Sequence, residues 1–315
     1  MPLTLHFAFP SLRAVLAVGA LWALMLSPAS AQNSADADIV AAKAAFDRGD
    51  AIGLAAIAPR VQGHVLAPYV AFWQLELGLD SARSGLVEAF LQKWAGTPFA
   101  DRLALDWLKS RARAGDWDTF AAGYPPRAAV DTELACDAVQ LRRRQDGDAA
   151  LAGAKPLWFT GSSTPDACEP LFAALIAQKS ITEGDRIARL RLASESGNQR
   201  LVRALGDGLP GTARVKAADF ANVERDPQRA LARGQFQWKR RGGEVLALYA
   251  LERAARADAS AAHKSWVKWR DRLGSEARAY GNARIAFLGA RQLDSQADAW
   301  YREADVARQN ADERA

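Results

Sequence analysis

The chain has 315 residues, half of them hydrophobic, with 41 Lys and Arg against 36 Asp and Glu, for a net charge of +5. Alanine far outnumbers isoleucine, valine and threonine combined, which excludes a sheet-dominated fold, because Ala is the best helix former and β-branched residues are the strand formers. The positive excess gathers in only two runs, Arg142-Arg143-Arg144 and Lys239-Arg240-Arg241.

The N-terminus reads as a leader. Arg13 precedes an unbroken apolar run from Ala14 to Leu26, followed by the small-residue site Ala29-Ser30-Ala31. The run is short for a membrane span, which needs about 20 residues. Cleavage after Ala31 is expected, giving a signal peptide over 1–31 and a mature domain over 32–315. No later stretch is apolar and long enough to cross a bilayer, so the mature protein is expected to be soluble in an exported, periplasmic compartment.

From Ile39 onward the pattern is helix, turn, helix. The first unit runs through Phe46 to a Gly49-Asp50 turn and on to Pro59. A helix opened near Pro68 carries Tyr69, Phe72, Trp73 and Leu77. Ser84 is placed to cap the next, with Leu86, Val87, Phe90, Leu91 and Trp94 on its buried side. Thr97 then offers an N-cap oxygen and Pro98 a pre-set φ at the first helical position. Phe99, Leu103, Trp107 and Leu108 form the following stripe. Gly115 can close that helix in the left-handed conformation, and Asp116 can cap the one bearing Trp117, Phe120 and Tyr124. After the Pro125-Pro126 break, further helices are signalled by Leu134, Ala138 and Leu141, by Leu171, Phe172 and Leu175, by Ile187 and Leu190, and by Leu201, Val202 and Leu205. Asp226-Pro227 opens another, Gly242-Gly243 separates it from Val245, Leu248 and Tyr249, and Trp266, Trp269, Leu273, Ile285, Leu288 and Trp300 mark the last hairpins. Short helices with one apolar stripe must stack on neighbours to bury it. The expected fold is all-α, an irregular superhelix (α-solenoid) of stacked helical hairpins. The charged ending from Tyr301 lacks a polar capping helix, and reads as a C-terminal truncation.

Cys136 and Cys168 are the only cysteines. In an oxidising compartment the pair is expected to form a disulfide, the alternative being two buried free thiols.

Two segments carry a family likeness. In FLQKWAGTPFADRLALDWLKSRARAGDWDTFAAGYP, from Phe90 to Pro125, these are the Thr97-Pro98 start with Ala100-Asp101-Arg102-Leu103, then Trp107-Leu108, then Gly115-Asp116-Trp117 with Phe120, closed by Tyr124. In KPLWFTGSSTPDACEPLFAAL, from Lys155 to Leu175, they are Trp158, Gly161, Pro165, Ala167, Cys168, Pro170, Leu171 and Phe172. Both resemble the N-terminal superhelical (U-shaped) domain of soluble lytic murein transglycosylases. Thr164 departs from the family pattern, which has Gln before the proline. The resemblance implies a ring-like scaffold that guides glycan strands of peptidoglycan, an acidic polymer that suits the basic runs better than nucleic acid does in an exported protein; the bland reading of those runs, as solvated helix faces or partners of helix C-terminal dipoles, is the more common one.

The family's chemistry, cleavage of the β-1,4 bond between N-acetylmuramic acid and N-acetylglucosamine with formation of a 1,6-anhydro sugar, rests on one glutamate in a lysozyme-like C-terminal domain. Its motif places Glu-Ser ahead of a Gly-Leu-Met-Gln segment. Glu195-Ser196 is the only Glu-Ser pair here, and Met1 and Met25, both in the leader, are the only methionines. No catalytic residue, cofactor or metal site is therefore expected, and the chain alone is expected to be inactive. His64 and His263, the histidines left after processing, read as surface or packing residues. Asp36 with Asp38, and Asp146 with Asp148, read as caps and solvated charge. The alternative function is a free-standing periplasmic helical-repeat protein that binds a protein partner.

Overall fold

The computed structural model describes residues 28–125 and 131–304, and every regular element among them is helical. The chain falls into two compact units, Met1–Ala128 and Ala129–Ala315. Arg13 and the apolar run of the expected leader lie outside the described residues, as do residues 305–315 of the charged ending.

The first unit holds α1 (Pro28–Asp47), α2 (Ala51–Ile57), α3 (Ala67–Leu77), α4 (Ser84–Lys93), α5 (Pro98–Arg113) and α6 (Trp117–Gly123). Its breaks are made by local chemistry. Gly49 and Gly115 take φ values of +70° and +74°, a backbone region open to glycine at little cost. Asp50 Oδ1 accepts from the Gly53 N–H at 2.8 Å, and Asp116 Oδ1 from the Thr119 N–H at 3.2 Å. Thr97 Oγ1 accepts from the Ala100 N–H at 3.4 Å and donates to the Trp94 carbonyl at 2.7 Å, with Pro98 at the first helical position. Phe99, just inside α5, lies within 4.9–6.2 Å of the rings of Tyr69, Phe72, Phe90 and Trp94, and so welds α3, α4 and α5 into one core.

One start differs from expectation. Ser84 is the first residue of α4 rather than its cap, and Arg83 at the cap position supplies no side-chain acceptor. Leu86 is 51% exposed, because α4 turns Val87 and Phe90, not Leu86, toward the core.

The second unit holds α7 (Thr132–Asp146), α8 (Lys155–Trp158), α9 (Glu169–Ala177), α10 (Glu183–Glu195), α11 (Gln199–Asp207), α12 (Ala217–Arg225), α13 (Pro227–Arg233), α14 (Arg241–Ala257), α15 (Ala259–Trp266), α16 (Ser275–Arg291) and α17 (Ala297–Glu303). Asp131, Thr182, Asn198, Asp226 and Asp258 each cap the helix that follows through a side-chain oxygen, which satisfies donors that a helix start otherwise leaves unpaired. Within each unit consecutive helices pack on one another and on the next pair, the stacked-hairpin organisation of an irregular superhelix.

Helix α14 is the hub of the second unit, touching α10, α12, α13, α15 and α16. Ala247, Ala250, Ala254 and Ala255 are fully buried along it, and such small side chains let neighbouring backbones approach closely. Gly242 and Gly243 lie inside its first turn instead of preceding it. A Cβ on Gly243 would collide with the Gln237 carbonyl, so glycine there is required by close packing rather than by a chain break. Phe220 meets Tyr249 edge-on at 5.1 Å, and Trp266 meets Trp269 at 4.9 Å.

Candidate functional site

The Glu-Ser pair, Glu195-Ser196, ends α10 and serves the packing of the second unit. Glu195 Oε1 accepts from the Tyr280 hydroxyl at 2.8 Å, and its Oε2 lies 3.9 Å from the Arg284 guanidinium. Burial, and then the Glu195 charge, push the Tyr280 hydroxyl well above the ordinary tyrosine pKa, so it stays a donor. Arg284 in turn forks onto Glu252 at 2.9 and 3.0 Å, and Arg256 donates to the same carboxylate at 2.8 Å. Ser196 Oγ donates to the Gly161 carbonyl at 2.8 Å. A Cβ on Gly161 would strike the Leu192 carbonyl, which gives this residue of the second likeness segment a steric reason for lacking a side chain. An acid set against cation and hydroxyl donors is a structural bracket. It is not the partly apolar cleft that a proton-donating glutamic acid requires.

The rest of that segment forms a compact cluster. Trp158 Nε1 donates to the Asp185 carbonyl at 2.9 Å, and its ring meets Phe172 edge-on at 5.2 Å. The Arg189 guanidinium sits 4.4 Å from the Trp158 ring and 5.2 Å from Phe172, and donates to Thr164 Oγ1 at 3.1 Å. Burial lowers the Arg189 pKa, while the aromatic faces stabilise the cation that water no longer reaches. The departure at Thr164 thus has a role: it supplies the hydroxyl that this guanidinium meets. Cys136 and Cys168 are joined in a disulfide with Cα atoms 5.1 Å apart, linking α7 to the 3-10 turn Asp166–Cys168 ahead of α9.

His64 and His263 are engaged by different neighbours. His64 Nδ1 accepts from the Leu66 N–H at 3.0 Å, so Nε2 carries the proton toward Asp36 Oδ1 at 2.8 Å. Asp38 pairs with Arg60 at 2.8 Å, and Asp148 with Arg143 at 2.7 Å. In the second basic run Arg241 pairs with Glu244 within the first turn of α14 at 2.8 Å. Among the described residues no group of three or more His, Cys, Asp or Glu is placed to hold a metal ion, and no helix is long and apolar enough to cross a membrane.

His263 stacks on Trp300 at 4.6 Å. Burial lowers its pKa, with Arg270 acting the same way and Glu303 and Asp294 opposing. The unfolded chain therefore binds this proton more tightly than the folded one. Its contribution to stability is full above the unfolded value of about 6.5 and is lost as pH falls from there through the folded value. We expect His263→Phe, which keeps the stacking, to flatten the fall in melting temperature between about pH 7 and about pH 5. An unchanged acid-side fall would assign that slope to other groups.

Among the described residues, two grooves are large enough for a ligand. One, of about 660 Å³ in the first unit, is walled by Pro59, Val65, Val70 and Trp94, with His64 and Lys93 beside them. The other, of about 390 Å³ in the second unit, lies where α12, α13 and the start of α14 meet, and Arg214, Arg229, Arg233 and Arg240 line it. Of these only Arg240 belongs to a run visible in the sequence. The i, i+4 spacing of Arg229 and Arg233 on a helix opened by Asp226-Pro227 was the available signal for that pair, and Arg214 carried none.

No protein-family model matches the chain. The soluble lytic murein transglycosylase of Salmonella typhimurium is 28% identical over 174 residues, which is 55% of this chain and 27% of that protein. The soluble lytic murein transglycosylase of Escherichia coli strain K12 matches with the same identity and coverage, 28% over 174 residues. The structure of an inactive mutant of lytic transglycosylase Slt from Pseudomonas aeruginosa superposes with a TM-score of 0.61 and 28% identity, covering 84% of this chain and 43% of that one. A 70-kDa soluble lytic transglycosylase in complex with bulgecin A shares the fold, with a TM-score of 0.55 at 22% identity over 86% of this chain and 44% of that one. The chain spans about a quarter of the length of the curated relatives it matches, 27%. With an all-helical architecture and this sequence likeness, the chain is homologous in part to the soluble lytic murein transglycosylases and matches their N-terminal superhelical region.

Proposed function

We propose that this chain is the superhelical scaffold of a periplasmic lytic murein transglycosylase, holding peptidoglycan glycan strands while a lysozyme-like domain outside these residues cleaves the glycosidic bond. The observation that carries the reading is the likeness in both sequence and fold to the Pseudomonas aeruginosa lytic transglycosylase across most of the helical chain. The engagement of Glu195 by Tyr280 and Arg284 supports placing the cleavage elsewhere. Export is supported by the leader expected over 1–31 and by the disulfide, since such bonds persist in oxidising compartments.

The test is co-sedimentation of the purified chain with sacculi, followed by chromatography of the supernatant. The chain is expected to pellet with sacculi, and to do so less as salt rises, because exposed charges are screened within a Debye length of about 8 Å at physiological ionic strength. No 1,6-anhydro-muropeptides are expected. Failure to pellet at low salt would overturn the scaffold role. Release of anhydro products that is abolished by changing one carboxylate to its amide would overturn the assignment of cleavage to another domain.

A further inference from the structure

We propose that the arginine-lined groove of the second unit binds a carboxylate on the peptides of the glycan strand. This rests on the scaffold reading for the identity of the ligand, though not for the existence of the site.

The charges in the groove do not cancel. Four arginines, Arg214, Arg229, Arg233 and Arg240, line this groove of about 390 Å³ together with two acids, Asp219 and Asp226. Arg214 is held by Asp207, outside the lining, through two hydrogen bonds at 3.1 and 2.8 Å. Arg240 donates to the neutral side-chain oxygen of Gln237 at 3.2 Å. One oxygen of Asp226 is occupied in capping α13, accepting from the Arg229 N–H at 3.0 Å. Arg229 and Arg233 stand one helical turn apart on α13, both exposed. Among the described residues no carboxylate lies within ion-pair distance of either. Two guanidinium forks one turn apart can grip the two oxygens of a carboxylate bidentately.

The surroundings favour an anion with polar substituents. Gly242 and Gly243, in the first turn of α14, form part of the groove wall. Asn222 and Gln235 bring amides that can pair with peptide groups. The volume is within the range of small-ligand sites, which suits a peptide end rather than a run of sugars. With Asp219 and Asp226 in the wall and Asp207 on Arg214, three acids stand against four arginines and leave a single positive charge, suited to a singly charged carboxylate more than to a dianionic phosphate.

The test is calorimetric titration of the purified full chain with three probes: a muramyl tetrapeptide, the neutral sugar chitotetraose, and inorganic phosphate. The muramyl tetrapeptide is expected to bind, and Arg229→Gln with Arg233→Gln to weaken it about tenfold or more, since a lost charge-assisted contact is worth about that factor. Arg229→Lys should recover only part of the loss. Both side chains are exposed, so the double variant is expected to fold, as circular dichroism will check; Arg240→Gln serves as a second probe of the same groove. No binding of the muramyl tetrapeptide, binding by the double variant within about twofold of the parent, or tighter binding of phosphate would each overturn the proposal. Sacculus pelleting separates this from the scaffold reading. A double variant that pellets as the parent does removes the groove and leaves the scaffold. A parent that binds the muramyl tetrapeptide through these arginines but ignores sacculi removes the scaffold and leaves the groove.

Discussion

Replacing Arg284 by Met is expected to destabilise the second unit by about 3–5 kcal/mol, the cost of breaking a buried ion pair from one side. The side chains of Arg284 and Glu252 are only 4% and 1% exposed, and the carboxylate receives two hydrogen bonds from this guanidinium at 2.9 and 3.0 Å. Burial by itself lowers the Arg284 pKa, but the hydrogen bonds and charge of Glu252 outweigh it, and the net shift is upward. The guanidinium therefore stays charged at any working pH. Without it, Glu252 keeps Arg256 at 2.8 Å, and Glu195 keeps the Tyr280 hydroxyl, yet the fork that satisfies Glu252 from α16 is gone. Urea unfolding followed by circular dichroism measures the loss. Changing Glu252 to Met as well removes the under-satisfied carboxylate, and much of the stability should return, because a buried pair exchanged for apolar groups is often neutral. A double variant as unstable as the single one would show that the loss comes from packing and not from the under-satisfied carboxylate.

Breaking the Cys136–Cys168 bond is expected to cost about 3–4 kcal/mol in the chain-entropy description, for a loop with a sequence separation of 32. Both cysteines are fully buried, so alanine is the suitable replacement; serine would add the cost of burying a hydroxyl. The bond joins α7 to the turn before α9, inside the core built on Val139, Leu151, Trp158 and Leu171. The double alanine variant and the reduced parent should melt at similar, lowered temperatures. An unchanged melting temperature after reduction would show that the core holds these elements without the crosslink.

Much of the helical plan was legible because its punctuation is local. A cap such as Asp116 is satisfied three residues away, at Thr119, and a proline such as Pro98 acts on its own φ. Ser84 misled because a hydroxyl before an apolar run signals a cap, while the backbone left that role to Arg83. The Gly242-Gly243 pair misled because glycine marks both chain breaks and tight packing, and only contact with the Gln237 carbonyl distinguishes them.

By itself, then, the sequence determined the all-α class, the positions of most helix starts, the cysteine pair and the two segments of family likeness. These depend on backbone preference, capping within four residues and residue identity. The tertiary structure alone decided what the charged side chains do. Glu195 meets Tyr280 across 85 residues of chain, and Glu252 meets Arg284 across 32; Arg214 and Arg240 reach the groove from outside the helix that bears Arg229 and Arg233. Such partners are chosen by how α10, α14 and α16 pack, and by where α13 meets the first turn of α14. No short-range pattern encodes that choice, because a charge on a helix face is compatible with solvent, with a buried partner or with a ligand until the neighbouring helix is in place.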